Sequence, residues 1–117
     1  MNAEEFHAAA LALPGAEFDV KWGDHRTYCV GGKMFALAGA LGEERPCWTL
    51  KVSDASFDQL CEEGVAAPSA YIGRYKWVRF VSNDAIPDDQ LMAYLQQAHA
   101  IVAAKLPTGV RKGLGIG

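Results

Sequence analysis

The chain has 117 residues, 50% apolar and 21% charged, with a net charge of −3. At this size a domain buries roughly two-thirds of the surface its unfolded chain exposes, enough for a core without metal or disulfide staples. No apolar run approaches the ~18 residues that suggest a membrane span, and the acidic balance counts against a dedicated nucleic-acid binder unless the cations cluster.

Cys29, Cys47 and Cys61 are odd in number, far apart, and form no C-x-x-C pair. Reduced thiols in a cytoplasmic protein are therefore expected, and neither a zinc knuckle nor a disulfide framework. Glu4 and Glu5 stand where a signal peptide would carry basic residues, so the N-terminal stretch does not read as one.

Asn2 is an N-cap residue, and Glu5 three positions later completes a capping box for a first helix. Ala3, Phe6, Ala10 and Leu13 recur at helical spacing as its inward stripe, and Pro14-Gly15 ends it. Closely spaced strand signals follow over residues 18–22, 25–30, 33–39 and 47–52. Gly23-Asp24 and Gly31-Gly32 mark turns between them. The links are too short for crossover helices, so the strands form an antiparallel meander. In the fourth, alternation sets Trp48, Leu50 and Val52 on one face and Cys47, Thr49 and Lys51 on the other.

Ser53 or Asp54 caps a second helix to about Glu63, with Phe57, Leu60 and Cys61 inward and Gly64 as its stop. A loop over 65–75 leads to a last strand, 76–81. Pro87 suits the first turn of a final helix, with Asp88 and Asp89 at its positive end. Leu91, Leu95, Ala98 and Leu106 lie on the inward stripe of that helix, and His99 is expected to face solvent. Pro107 closes it, and the glycine-rich tail, 108–117, has no evident reason to pack. The expected fold is α+β: an antiparallel sheet of about five strands with helices on one face, in a single domain over 1–107.

The densest contact chemistry lies between Pro68 and Val81, where Tyr71, Tyr75 and Trp77 mix with Arg74, Lys76 and Arg79. Strand alternation leaves two core assignments open, Trp77 with Val81 or Val78 with Phe80.

Taken in order, several segments resemble the MmcQ/YjbR family, small domains described as double-wing DNA-binding proteins with a CyaY-like, frataxin-related fold. They are Leu13-Pro14-Gly15-Ala16-Glu17, Lys33-Met34-Phe35-Ala36 and Leu50-Lys51-Val52, then Pro68-Ser69-Ala70-Tyr71, Trp77-Val78 and Lys105-Leu106-Pro107. The pattern runs from about residue 3 to 107. The resemblance implies an antiparallel sheet flanked by helices, and a DNA-binding role with no particular sequence target.

On that view Arg74, Lys76 and Arg79 meet phosphates, Lys51 and Lys33 extend a cationic stripe, and Tyr71, Tyr75 or Trp77 lies against a nucleotide. Arg26, Lys33 and Arg45 mark where hairpin wings would touch a backbone. The plainer reading makes these cations a solvated rim, or lysines that guard a strand edge. A rival function uses Tyr71, Tyr75 and Trp77 as a groove for a protein partner or a metabolite.

Catalytic signals are absent. His7, His25 and His99 stand at no ligand spacing to a Cys, Asp or Glu pair. Strand rise separates His25 from Cys29 by more than about 12 Å, which argues against a Cys–His dyad. There is no P-loop, G-x-G-x-x-G or G-x-S-x-G. The first helix offers only Glu4 and Glu5, so the iron-binding acidic ridge of frataxins does not carry over. The sequence thus predicts a non-enzymatic monomer without cofactor or metal, not membrane-bound, with double-stranded DNA as its candidate partner.

Overall fold

In a computed structural model, which describes residues 1–116, the capping box forms as the sequence predicts. The amide of Glu5 donates to Asn2 Oδ1 at 2.8 Å, and the amide of Asn2 donates to Glu5 Oε1 at 2.9 Å. Helix α1 runs Ala3–Leu11 and buries Ala3, Phe6 and Ala10.

Six strands follow: β1 Ala16–Lys21, β2 His25–Val30, β3 Lys33–Ala40, β4 Thr49–Lys51, β5 Ala66–Pro68 and β6 Trp77–Phe80. Helix α2, Asp54–Glu62, is capped by the Ser53 side chain, and α3 spans Asp88–Ala104. The sheet order is β1-β2-β3-β4-β6-β5, with every neighbouring pair antiparallel. The expected loop over 65–75 therefore contains a strand, β5, that pairs with β6. Its three residues end on a proline, a short edge that periodicity does not reveal.

Register divides the sheet into two faces. Tyr28, Ala36, Leu50 and Val78 are successive cross-strand partners and belong to the core that the helices cover. The adjacent row, Thr27, Leu37, Thr49 and Arg79, points the other way. A bulge between Tyr28 and Cys29 keeps Phe35 on the helix side, where its ring meets His99 edge-on. Phe6 stacks on Trp48 with centroids 4.3 Å apart and also meets the edge of Tyr28, which anchors α1 to the sheet.

The ambiguity in the last strand resolves in favour of Val78 and Phe80, both fully buried, whereas Val81 is exposed. Two expectations need correction. His99 does not face solvent: its Nε2 lies 2.7 Å from the Pro14 carbonyl, because position 99 falls one turn beyond Leu95 on the buried stripe. The tail also packs. Helix α4, Thr108–Gly113, turns it back, and Leu114 and Ile116 lie against the core. Gly15, at φ +69°, leaves the room that Leu114 occupies. Gly117 lies outside the described residues.

Candidate functional site

The sheet face turned away from the helices is partly roofed by the segment after β5. Ser69 donates its amide to the Trp77 carbonyl at 2.9 Å, and a 3₁₀ turn, Gly73–Tyr75, follows. Three hollows lie around the sheet, two of them bordered by this roof.

The first lies at the end of the sheet and measures about 430 Å³. Lys33 opens β3, Lys51 closes β4, Trp77 opens β6 and Lys105 caps α3; with Met34 and Val102 they line it. Lys51 donates to the carbonyl of Tyr75 at 2.6 Å and to that of Val52 at 3.3 Å. Burial holds its ammonium below the ordinary lysine range, and Lys105 and Lys76 push the same way against Asp54. Lys33 and Lys51 thus share one hollow with Lys105, which lies far from both in sequence. In the sequence Lys105 stands out only within Lys105-Leu106-Pro107 and not as a site cation, because a lysine ending a helix is ordinary dipole chemistry.

A second hollow, about 450 Å³, is lined by Phe57, Pro68, Ser69, Tyr71, Gly73, Arg74 and Lys76. The Lys76 ammonium lies over the Phe57 ring, 4.7 Å from its centroid. Arg74 stacks on Tyr75 at 4.7 Å and donates to its hydroxyl at 2.7 Å.

A third, about 530 Å³, is mainly apolar and lies between the β1–β2 turn and the roof. Trp22, His25, Met34 and Leu37 form one part of it and Ser69, Ala70, Tyr71 and Ile72 the other. The sequence does not mark Trp22, where a Trp before Gly-Asp reads only as a turn flank, and it brings out His25 only as a metal-ligand or dyad candidate that spacing sets aside.

The single aromatic groove expected from Tyr71, Tyr75 and Trp77 does not form. Trp77 is buried at 7% exposure, in register with Lys51, whereas Tyr71 is 97% exposed on another wall. Trp77 therefore offers no free ring to a nucleotide. Arg79 stands exposed beside Thr49 and lines none of these hollows. Arg26 is not a free wing cation either. Its guanidinium donates to the Glu43 carbonyl at 2.8 Å and pins the loop after β3. Arg45 is exposed in that loop.

No lysine or arginine among the described residues forms a salt bridge with a carboxylate. Nor do three His, Cys, Asp or Glu side chains gather there to hold a metal ion. Burial pushes the Cys29 thiol above its ordinary value, which favours the thiol over the thiolate. No helix among the described residues is long and apolar enough to cross a membrane.

The YjbR family model matches residues 11–101. The structure is similar to the crystal structure of the Deinococcus radiodurans protein DR2400, which has a DUF419 domain. The TM-score is 0.82 at 21% identity, over 97% of this chain and 88% of that one. That likeness shows the α+β fold. Among curated proteins, none matches the sequence.

Proposed function

The chain belongs to the YjbR family, and we propose that it binds DNA weakly through the phosphate backbone, without catalysing a reaction. The observation that supports this reading is the hollow where Lys33, Lys51 and Lys105 meet without a carboxylate salt bridge, in a chain of net charge −3. Burial first, and then the like charges of Lys105 and Lys76, make a charged Lys51 costly in the free protein. A phosphate relieves that cost when it enters. Lys76 acts on the same ammonium and links the hollow to Arg74. Phosphate contacts position a duplex without reading its sequence, so binding is sequence-independent.

The test is fluorescence anisotropy of a labelled mixed-sequence duplex, with a Lys33→Ala, Lys51→Ala, Lys105→Ala variant beside the parent. The reading expects saturable binding that weakens at least about tenfold in the variant, while circular dichroism shows the fold retained. Equal binding by the two proteins, or none by the parent, overturns it.

A further inference from the structure

We propose that the chain also binds a small, flat aromatic anion, with its ring in the cavity between Trp22 and Tyr71 and its negative group at Arg74. The cavity of about 530 Å³ has the size of a small-ligand site, and Trp22, Met34, Leu37 and Ile72 give it apolar walls. Its polar side chains are few: His25, Ser69 and the Tyr71 hydroxyl.

Backbone conformation singles out the same place. Only three non-glycine residues among those described have positive φ: Trp22 at 51°, Tyr71 at 66° and Lys76 at 66°. All three line this cavity or the hollow that adjoins it. Left-handed backbone is unfavourable for such side chains; the β1–β2 turn imposes it on Trp22 and the end of the 3₁₀ turn on Lys76, which leaves Tyr71 in the roof. Packing does not explain the two rings, since Trp22 is 64% and Tyr71 97% exposed.

Charge then selects the ligand. The two hollows share Ser69 and Tyr71, so the apolar cavity adjoins the hollow that Arg74 and Lys76 line. No Asp or Glu lines either hollow, and neither cation has a salt bridge to displace. A carboxylate or sulfonate on an aromatic ring system fits this pairing, whereas a cation does not. The inference does not rest on DNA binding, which centres on Lys33, Lys51 and Lys105 and shares only Lys76 and Arg74 at its margin with this site.

Two dyes with the same rings test it: anilinonaphthalene sulfonate and its uncharged counterpart, phenylnaphthylamine. The sulfonate should bind at one saturable site and shift the amide resonances of Met34, Leu37 and Ile72. Its affinity should fall about tenfold in Trp22→Gly and in Tyr71→Gly, glycine being able to keep the positive φ and the fold. Arg74→Gln should weaken the sulfonate about threefold and leave the uncharged dye unchanged. Sulfonate affinity unaffected by Trp22→Gly and Tyr71→Gly, or resonance shifts elsewhere, overturns the site. Equal effects of Arg74→Gln on both dyes overturn the choice of an anion.

Discussion

The ammonium of Lys51 donates to the main-chain carbonyl of Tyr75 across 2.6 Å, and so ties the end of β4 to the aromatic segment that roofs the open face. Burial, then Lys105, lower its titration from the ordinary 10.5, with Lys76 adding to the effect. A lysine with a lowered folded value costs stability while it is charged in the fold. That cost is full below the folded value and is relieved as pH rises toward the unfolded one. Duplex affinity should move oppositely and fall on the alkaline side before an ordinary lysine would lose its proton. Anisotropy titrations from neutral pH to about pH 10 check this. Lys51→Arg, which stays charged, should flatten the alkaline fall; an unchanged profile in that variant would remove Lys51 from the interface.

Tyr28 is fully buried in the core against Phe6 of α1. Its hydroxyl lies 3.0 Å from His7 Nδ1, and desolvation pushes its pKa up to about 12 against the pull of Arg26. A folded value above the unfolded one contributes stability that is complete below about pH 10. The contribution is lost progressively as pH rises through the folded value. Urea melts across the alkaline range should show that loss in the parent, and a smaller one in Tyr28→Phe.

Phe6 carries the docking of α1, since it stacks on Trp48 at 4.3 Å and meets the edge of Tyr28. Phe6→Ala should cost about 3–5 kcal/mol, read by chemical denaturation. A cost below about 1 kcal/mol would mean that the site collapses around the smaller residue.

Two neighbouring glycines separate backbone strain from crowding. Both have positive φ, but a Cβ on Gly31 would stand 2.7 Å from Leu106 Cδ1, whereas one on Gly32 meets nothing within 4 Å. Gly32→Ala should cost about 1 kcal/mol for conformation alone. Gly31→Ala should cost about 2–3 kcal/mol, because Leu106 must also move. Equal costs in denaturant melts would show that Leu106 yields freely.

Much of this fold is legible in local chemistry. The Asn2–Glu5 capping box, the Gly31-Gly32 turn and the alternation of Trp48, Leu50 and Val52 act within a few residues, so the sequence displays them. The hidden parts depend on tertiary partners. Ala66–Pro68 becomes a strand only because β6 lies beside it, and the tail packs because Leu114 finds space over Gly15. The candidate site is legible in part. Lys33 and Lys51 were chosen for charge and share a hollow, but Lys105 joins them through the register of α3 on the sheet. Trp77 looked like a contact ring until β6 turned it into the sheet's end. Trp22 gave no signal, because only its exposure and positive φ set it apart.

The central claim is that phosphates enter the lysine hollow, and the salt dependence of duplex binding tests it most directly. With Lys33, Lys51, Lys76 and Lys105 engaged, a plot of log affinity against log salt concentration should have a slope of about −3 to −4. In the Lys33→Ala, Lys51→Ala, Lys105→Ala variant any residual slope should shrink to about −1. A flat response in the parent protein would contradict the account.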